Sequence, residues 1–112
     1  MVASDYIPEK GDIVWLNFDP QIGHEQRGHR PAICVSHEIY NQKVGLALFC
    51  PITSSIKGYP FEVVLKQHET NGCILSDQIK NLDWRERDCT FIERAREEEL
   101  TSVIDNIKLL ID

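Results

Sequence analysis

A chain of 112 residues supports one compact domain with one modest core, so residues 1–112 are expected to form a single folded unit. No apolar run approaches the roughly 20 residues that span a bilayer, and the N-terminus Met-Val-Ala-Ser-Asp-Tyr lacks the basic and apolar regions of an export signal, which predicts a soluble, cytoplasmic protein with no membrane partner. The net charge of −6 argues against a protein that coats long nucleic acids.

In chain order, Asp12 to Phe18 is β-branched and aromatic on both pleat faces and predicts a strand buried on both sides, ended by Asp19-Pro20. Arg30 to Ser36 is the next strand, with Pro31 expected near its start or on an edge because proline cannot donate to a ladder. Ser36 to Asn41 predicts a short helix, and Val44 to Cys50 a third strand. Pro60 to Lys66 alternates, with Phe61, Val63 and Leu65 on one face, as a half-exposed strand does. Thr70-Asn71-Gly72 is a turn leading into Cys73 to Ser76, and Cys89 to Glu93 supplies a last strand.

From Glu97 to Ile111 the period changes. Leu100, Val103, Ile104, Ile107, Leu110 and Ile111 recur at three and four, and Glu97, Glu98 and Glu99 complement the dipole of the first turn, so an amphipathic helix closes the chain. Short strands followed by one helix give an α+β, mainly β fold, a small antiparallel barrel with a C-terminal helix. Cys34, Cys50, Cys73 and Cys89 stand singly in apolar segments and read as small buried hydrophobes; no disulfide, metal site or cofactor is expected.

Two polar segments depart from this scaffold. Gly23-His-Glu-Gln-Arg-Gly-His-Arg-Pro-Ala-Ile33 packs two histidines, two arginines and a glutamate into a loop that enters a strand, a density of proton carriers and cations suited to a phosphate. Pro51-Ile-Thr-Ser-Ser-Ile-Lys-Gly-Tyr-Pro60 is a second strand exit with hydroxyls and a lysine. Residues 23–60 hold Arg27, Arg30, Lys43 and Lys57 against Glu25 and Glu38, so a locally cationic segment sits in an acidic chain. That distribution suits an enzyme touching a few nucleotides.

With these residues the chain resembles the MazF/PemK family of toxin endoribonucleases. The resemblance is carried by Gly11-Asp-Ile-Val-Trp15, Phe18-Asp-Pro20, Glu25-Gln26, Gly28-His-Arg-Pro31, Pro51-Ile-Thr53, Lys57-Gly-Tyr-Pro-Phe-Glu-Val63, Asp77-Gln78 and Trp84-Arg85, in family order and spacing. It implies an SH3-like barrel, a homodimer, and a type II toxin that cleaves single-stranded RNA and is silenced by a cognate antitoxin with an acidic, disordered tail. Two alternatives stay open: a gyrase-poisoning toxin of the same fold, and an SH3-like RNA-binding module without catalysis.

Cleavage without a metal uses the neighbouring 2′-hydroxyl as nucleophile, so the protein must take up that proton, neutralise phosphorane charge and protonate the leaving 5′-oxygen. Arg30 is the candidate for charge neutralisation, its planar fork matching two phosphate oxygens; its alternative is a strand-end ion pair. Thr53 is the candidate hydroxyl donor, its alternative ordinary strand-end bonding. The resemblance pairs these two residues functionally and adds Glu25 as candidate base. His29 titrates in the useful range or shapes the loop, and Asp77 assists or bonds backbone amides. Phe18, Gln26, Arg27, Lys57, Tyr59 and Gln78 are the candidate RNA contacts, as stacking surfaces, edge readers and cations.

Overall fold

The computed structural model describes residues 5–19 and 28–112. β1 (Asp12–Asn17), β2 (His29–Cys34), β3 (Ala47–Thr53), β4 (Glu62–Val64), β5 (Cys73–Leu75), β6 (Lys80–Leu82) and β7 (Thr90–Arg94) form one antiparallel sheet in the order β4-β5-β3-β2-β1-β7, with β6 pairing β3 off that path. Helix α1 (Glu38–Val44) links β2 to β3, and α2 (Glu97–Ile111) ends the chain.

The pleat sorts the apolar residues onto two faces. Val14, Leu16, Ala32, Cys34, Ala47 and Phe49 pack with Phe18 and Trp84 on one side. Ile13, Ile33, Cys50, Ile52 and Ile74 pack with Leu65 and Val103 on the other, where Leu100 and Ile107 of α2 also lie. The terminal helix is therefore held by its three-and-four stripe, and its range is the one the periodicity predicts.

Three expectations need correction. Val44 does not open β3: it is the last residue of α1, because Gly45 adopts φ 79° and its N–H bonds back to the Asn41 carbonyl, ending the helix in the left-handed conformation glycine tolerates. Strand β3 then begins at Ala47 and continues through Pro51 to Thr53, beyond the expected end. β1 is not apolar-buried along both faces, since Trp15 is exposed. Pro31 is the third residue of β2 and precedes Ala32, the first residue paired with β3, so the β2–β3 ladder starts after it.

Cys34, Cys50 and Cys73 are buried, as expected of small hydrophobes, and Cys89 is half-buried. Desolvation pushes the Cys50 thiol up to about 12 and that of Cys73 up to about 11. No helix among the described residues is long and apolar enough to cross a membrane.

Candidate active site

The β1–β2 pairing aligns Leu16 with Arg30 and Asn17 with His29. Past the last pair, the Phe18 N–H donates to the Gly28 carbonyl at 2.9 Å and the Gly28 N–H donates to Asp19 Oδ1 at 2.9 Å, tying together the two strand ends. Arg87 donates through Nη1 to the carbonyls of Asn17 (3.0 Å) and Asp19 (2.8 Å), fixing the same exit from outside the hairpin. Glu25, Gln26 and Arg27 lie outside the described residues.

His29 stacks on Trp15, ring centroids 5.3 Å apart. Strand alternation puts Arg30 on the opposite pleat face, as expected for neighbours. In the β2–β3 register Ala32 faces Pro51, Ile33 faces Cys50 and Cys34 faces Phe49. Arg30 lies two residues before Ala32 and Thr53 two residues after Pro51, so each stands just beyond the Ala32–Pro51 pair that opens the β2–β3 ladder. Arg30, His29, Asp19, Trp15 and Ser54 line one depression of about 740 Å³.

Thr53, Ser55, Lys57, Tyr59, Asp77 and Gln78 line a second cleft, of about 540 Å³. Thr53 is buried; its Oγ1 accepts the Ser55 N–H at 3.2 Å, which leaves the hydroxyl proton for another acceptor. The Tyr59 hydroxyl donates to Asp77 Oδ2 at 3.0 Å, and that carboxylate's hydrogen bond and charge raise the tyrosine's pKa. Asp77 and Gln78 sit in the 3₁₀ turn Ser76–Gln78 that follows β5, the strand paired with the end of β3, so sheet topology carries both to Thr53's side.

The structure thus gathers Thr53, Lys57, Tyr59, Asp77 and Gln78 in one cleft, while Arg30 and His29 line the separate depression with Ile52 and Ser54. Phe18 is a correction: at 2% exposure it belongs to the core with Val14 and Leu16, and a base cannot stack on it. Its even-numbered place in that alternation was the available signal. Glu62 and Arg87 went unassigned in the sequence because their partners are backbone groups, which leave no side-chain motif. Among the described residues no cluster of three His, Cys, Asp or Glu side chains could hold a metal ion.

Residues 9–111 match the family described as PemK-like, MazF-like toxin of type II toxin-antitoxin system. The chain is 46% identical over 110 residues to the Endoribonuclease toxin MazF of Escherichia coli (strain K12), covering 98% of this chain and 99% of that one. It superposes on the crystal structure of MazF (Form-I) from Deinococcus radiodurans with a TM-score of 0.93 and 44% identity, covering 96% of this chain and 98% of the other. A MazE-MazF crystal structure (Form-II) from the same organism matches with a TM-score of 0.86 and 45% identity, over 96% and 97% of the two chains. This chain belongs to the PemK-like, MazF-like family of toxins of type II toxin–antitoxin systems.

Proposed function

We propose that this toxin is an endoribonuclease that cuts single-stranded RNA at a short sequence, without a metal ion, and so arrests translation and growth until its antitoxin binds. The observation that carries the reading is the full-length similarity to endoribonuclease toxins, at 46% identity over 98% of the chain. The antiparallel pairing of β2, which carries Arg30, with β3, which ends at Thr53, supports the assignment of roles.

In the proposed reaction the 2′-oxygen attacks the adjacent phosphorus and its proton passes to a base, for which Glu25 is the candidate. The phosphorus–O5′ bond breaks as the 2′,3′-cyclic phosphate forms, and the departing oxygen takes up a proton to become a 5′-hydroxyl. Arg30 donates to two non-bridging oxygens and Thr53 to the same phosphate, offsetting charge that grows in the transition state. His29 and Asp77 serve as supporting groups, while Lys57, Tyr59 and Gln78, with Gln26 and Arg27, contact neighbouring nucleotides. The required 2′-hydroxyl makes the enzyme selective for RNA over DNA.

The strand path is read as an SH3-like barrel forming one domain of a cytoplasmic protein. A homodimer would cover apolar surface exposed at Trp15, Phe91, Leu109 and Ile111. The antitoxin partner is a MazE-type protein, as in the complexes from Deinococcus radiodurans, whose acidic disordered tail occupies the RNA cleft.

The test is incubation with a long single-stranded RNA in EDTA, followed by mapping of the new ends, and then a substrate carrying one 2′-deoxynucleotide 5′ of the mapped cut. Cleavage at one motif, leaving cyclic or 3′-phosphate and abolished by the deoxynucleotide, is expected. RNA that stays intact in EDTA, or a deoxy substrate that is still cut, overturns the reading; binding without cutting would favour the RNA-binding module, and neither would favour the gyrase poison.

A further inference from the structure

We propose that Glu62 is a positioning residue that holds the Lys57–Tyr59 wall of the cleft in its RNA-binding shape, a role that rests on the endoribonuclease reading above. A carboxylate lining a cleft for a polyanion is out of place on charge alone, since it repels the phosphates. Its hydrogen bonds account for it. Oε1 accepts from the N–H groups of Gly58 (2.9 Å), Tyr59 (3.2 Å) and Lys57 (3.3 Å), and Oε2 accepts from Lys57 N–H at 3.1 Å.

Three successive backbone N–H groups converging on one anion form a nest, and here the nest is filled by the protein's own side chain. The arrangement needs Gly58 at φ 77°, a left-handed conformation that lets the consecutive amides turn the same way. Glu62 is itself anchored. Its N–H donates to the Tyr59 carbonyl at 3.0 Å, it pairs with Leu75 across β4 and β5, and the preceding Phe61 carbonyl accepts both the backbone N–H and the hydroxyl of Ser76. Tyr59 is gripped at its other end by Asp77. Glu62 thus transmits the rigidity of the sheet to an exposed loop that carries two candidate RNA contacts, and its charge is spent on amides.

The role predicts a split in kinetics. Lys57 and Tyr59 contact RNA in ground and transition states alike, so loosening them raises KM by about tenfold and leaves kcat within about twofold. The experiment compares wild type, Glu62→Ala and Glu62→Gln in steady-state cleavage of an RNA oligonucleotide, with amide hydrogen exchange at Lys57, Gly58 and Tyr59 followed by NMR in RNA-free protein. Glu62→Ala should raise KM and lose amide protection; Glu62→Gln, which keeps one acceptor oxygen without the charge, should fall between and covers the case of an unfolded alanine variant. An unchanged KM despite faster exchange would overturn the proposal. So would tighter RNA binding by both neutral variants, which would assign Glu62 a repulsive role. A wild type that cuts no RNA would overturn the ribonuclease reading and Glu62's part in it, and is recognisable because the loop's exchange pattern would stand unaltered.

Discussion

The tightest constraint on the site at the scale of single residues is Gly72. It sits at φ 120°, and a Cβ there would lie 2.0 Å from the Thr53 carbonyl oxygen and 2.7 Å from its carbon. Neither is a side-chain end that can swing away. Gly72→Ala should therefore cost about 2–4 kcal/mol, from backbone strain together with overpacking, and push Thr53 out of place. Urea unfolding checks the first effect and RNA cleavage by the folded fraction checks the second; a variant as stable and active as wild type would mean that the β4–β5 turn yields freely. Thr70-Asn71-Gly72 was legible as a turn from its residue types. What Gly72 does for Thr53 was not, since the close approach is between backbones nineteen positions apart.

Elements follow the same division. Helix α2 was legible to the residue because fifteen positions share one period and its first turn is acidic. Strand β6 was not, because three residues, Lys80–Leu82, cannot display an alternation. Nor was the joint that docks α2. His68 uses both ring nitrogens, Nε2 at 2.7 Å from Glu99 and Nδ1 at 3.1 Å from Glu93, so one buried imidazole ties the β4–β5 connection to α2 and β7. Glu99 Oε1 also accepts the Arg96 N–H and its Oε2 the Lys66 N–H, while Glu93 takes the N–H groups of Glu69 and Thr70. Arg96, bonded to Gln67 and 3.9 Å from Glu98, is the cation flanking the joint.

Burial alone would lower the pKa of His68, but the hydrogen bonds and charges of Glu99 and Glu93 outweigh it and raise the value above its ordinary 6.5. For Glu93, burial is likewise outweighed, by the amide bonds of Thr70 and the His68 contact, and its pKa falls below 4.5. The histidine's contribution to stability is therefore complete below pH 6.5 and lost as pH rises through the raised value; that of Glu93 is complete above 4.5 and lost as pH falls through the lowered one. Urea midpoints should decline from pH 6 to 9 in wild type and stay flatter in His68→Ala, which should itself be about 1–3 kcal/mol less stable at pH 6. Parallel pH profiles would remove His68 as the titrating group.

Across the whole molecule, a net charge of −6 coexists with a segment that carries more cations than carboxylates, and the fold explains how. Acidic residues cluster on α2 and the chain end, while Arg30 stands on β2, and Thr53 and Lys57 stand at the end of the paired strand β3 and in the segment that follows it. Family motifs pointed to these residues without showing their depth: Thr53 proved buried and Phe18 entirely internal. In the proposed mechanism Arg30 and Thr53 act together on a phosphate. Single-turnover cleavage of one mapped RNA in EDTA by wild type, Arg30→Ala and Thr53→Ala tests it most directly, with circular dichroism confirming the fold. A loss of about 10²–10³-fold or more in each variant is predicted, as for removal of a donor to a developing anion; full activity in either would contradict the account.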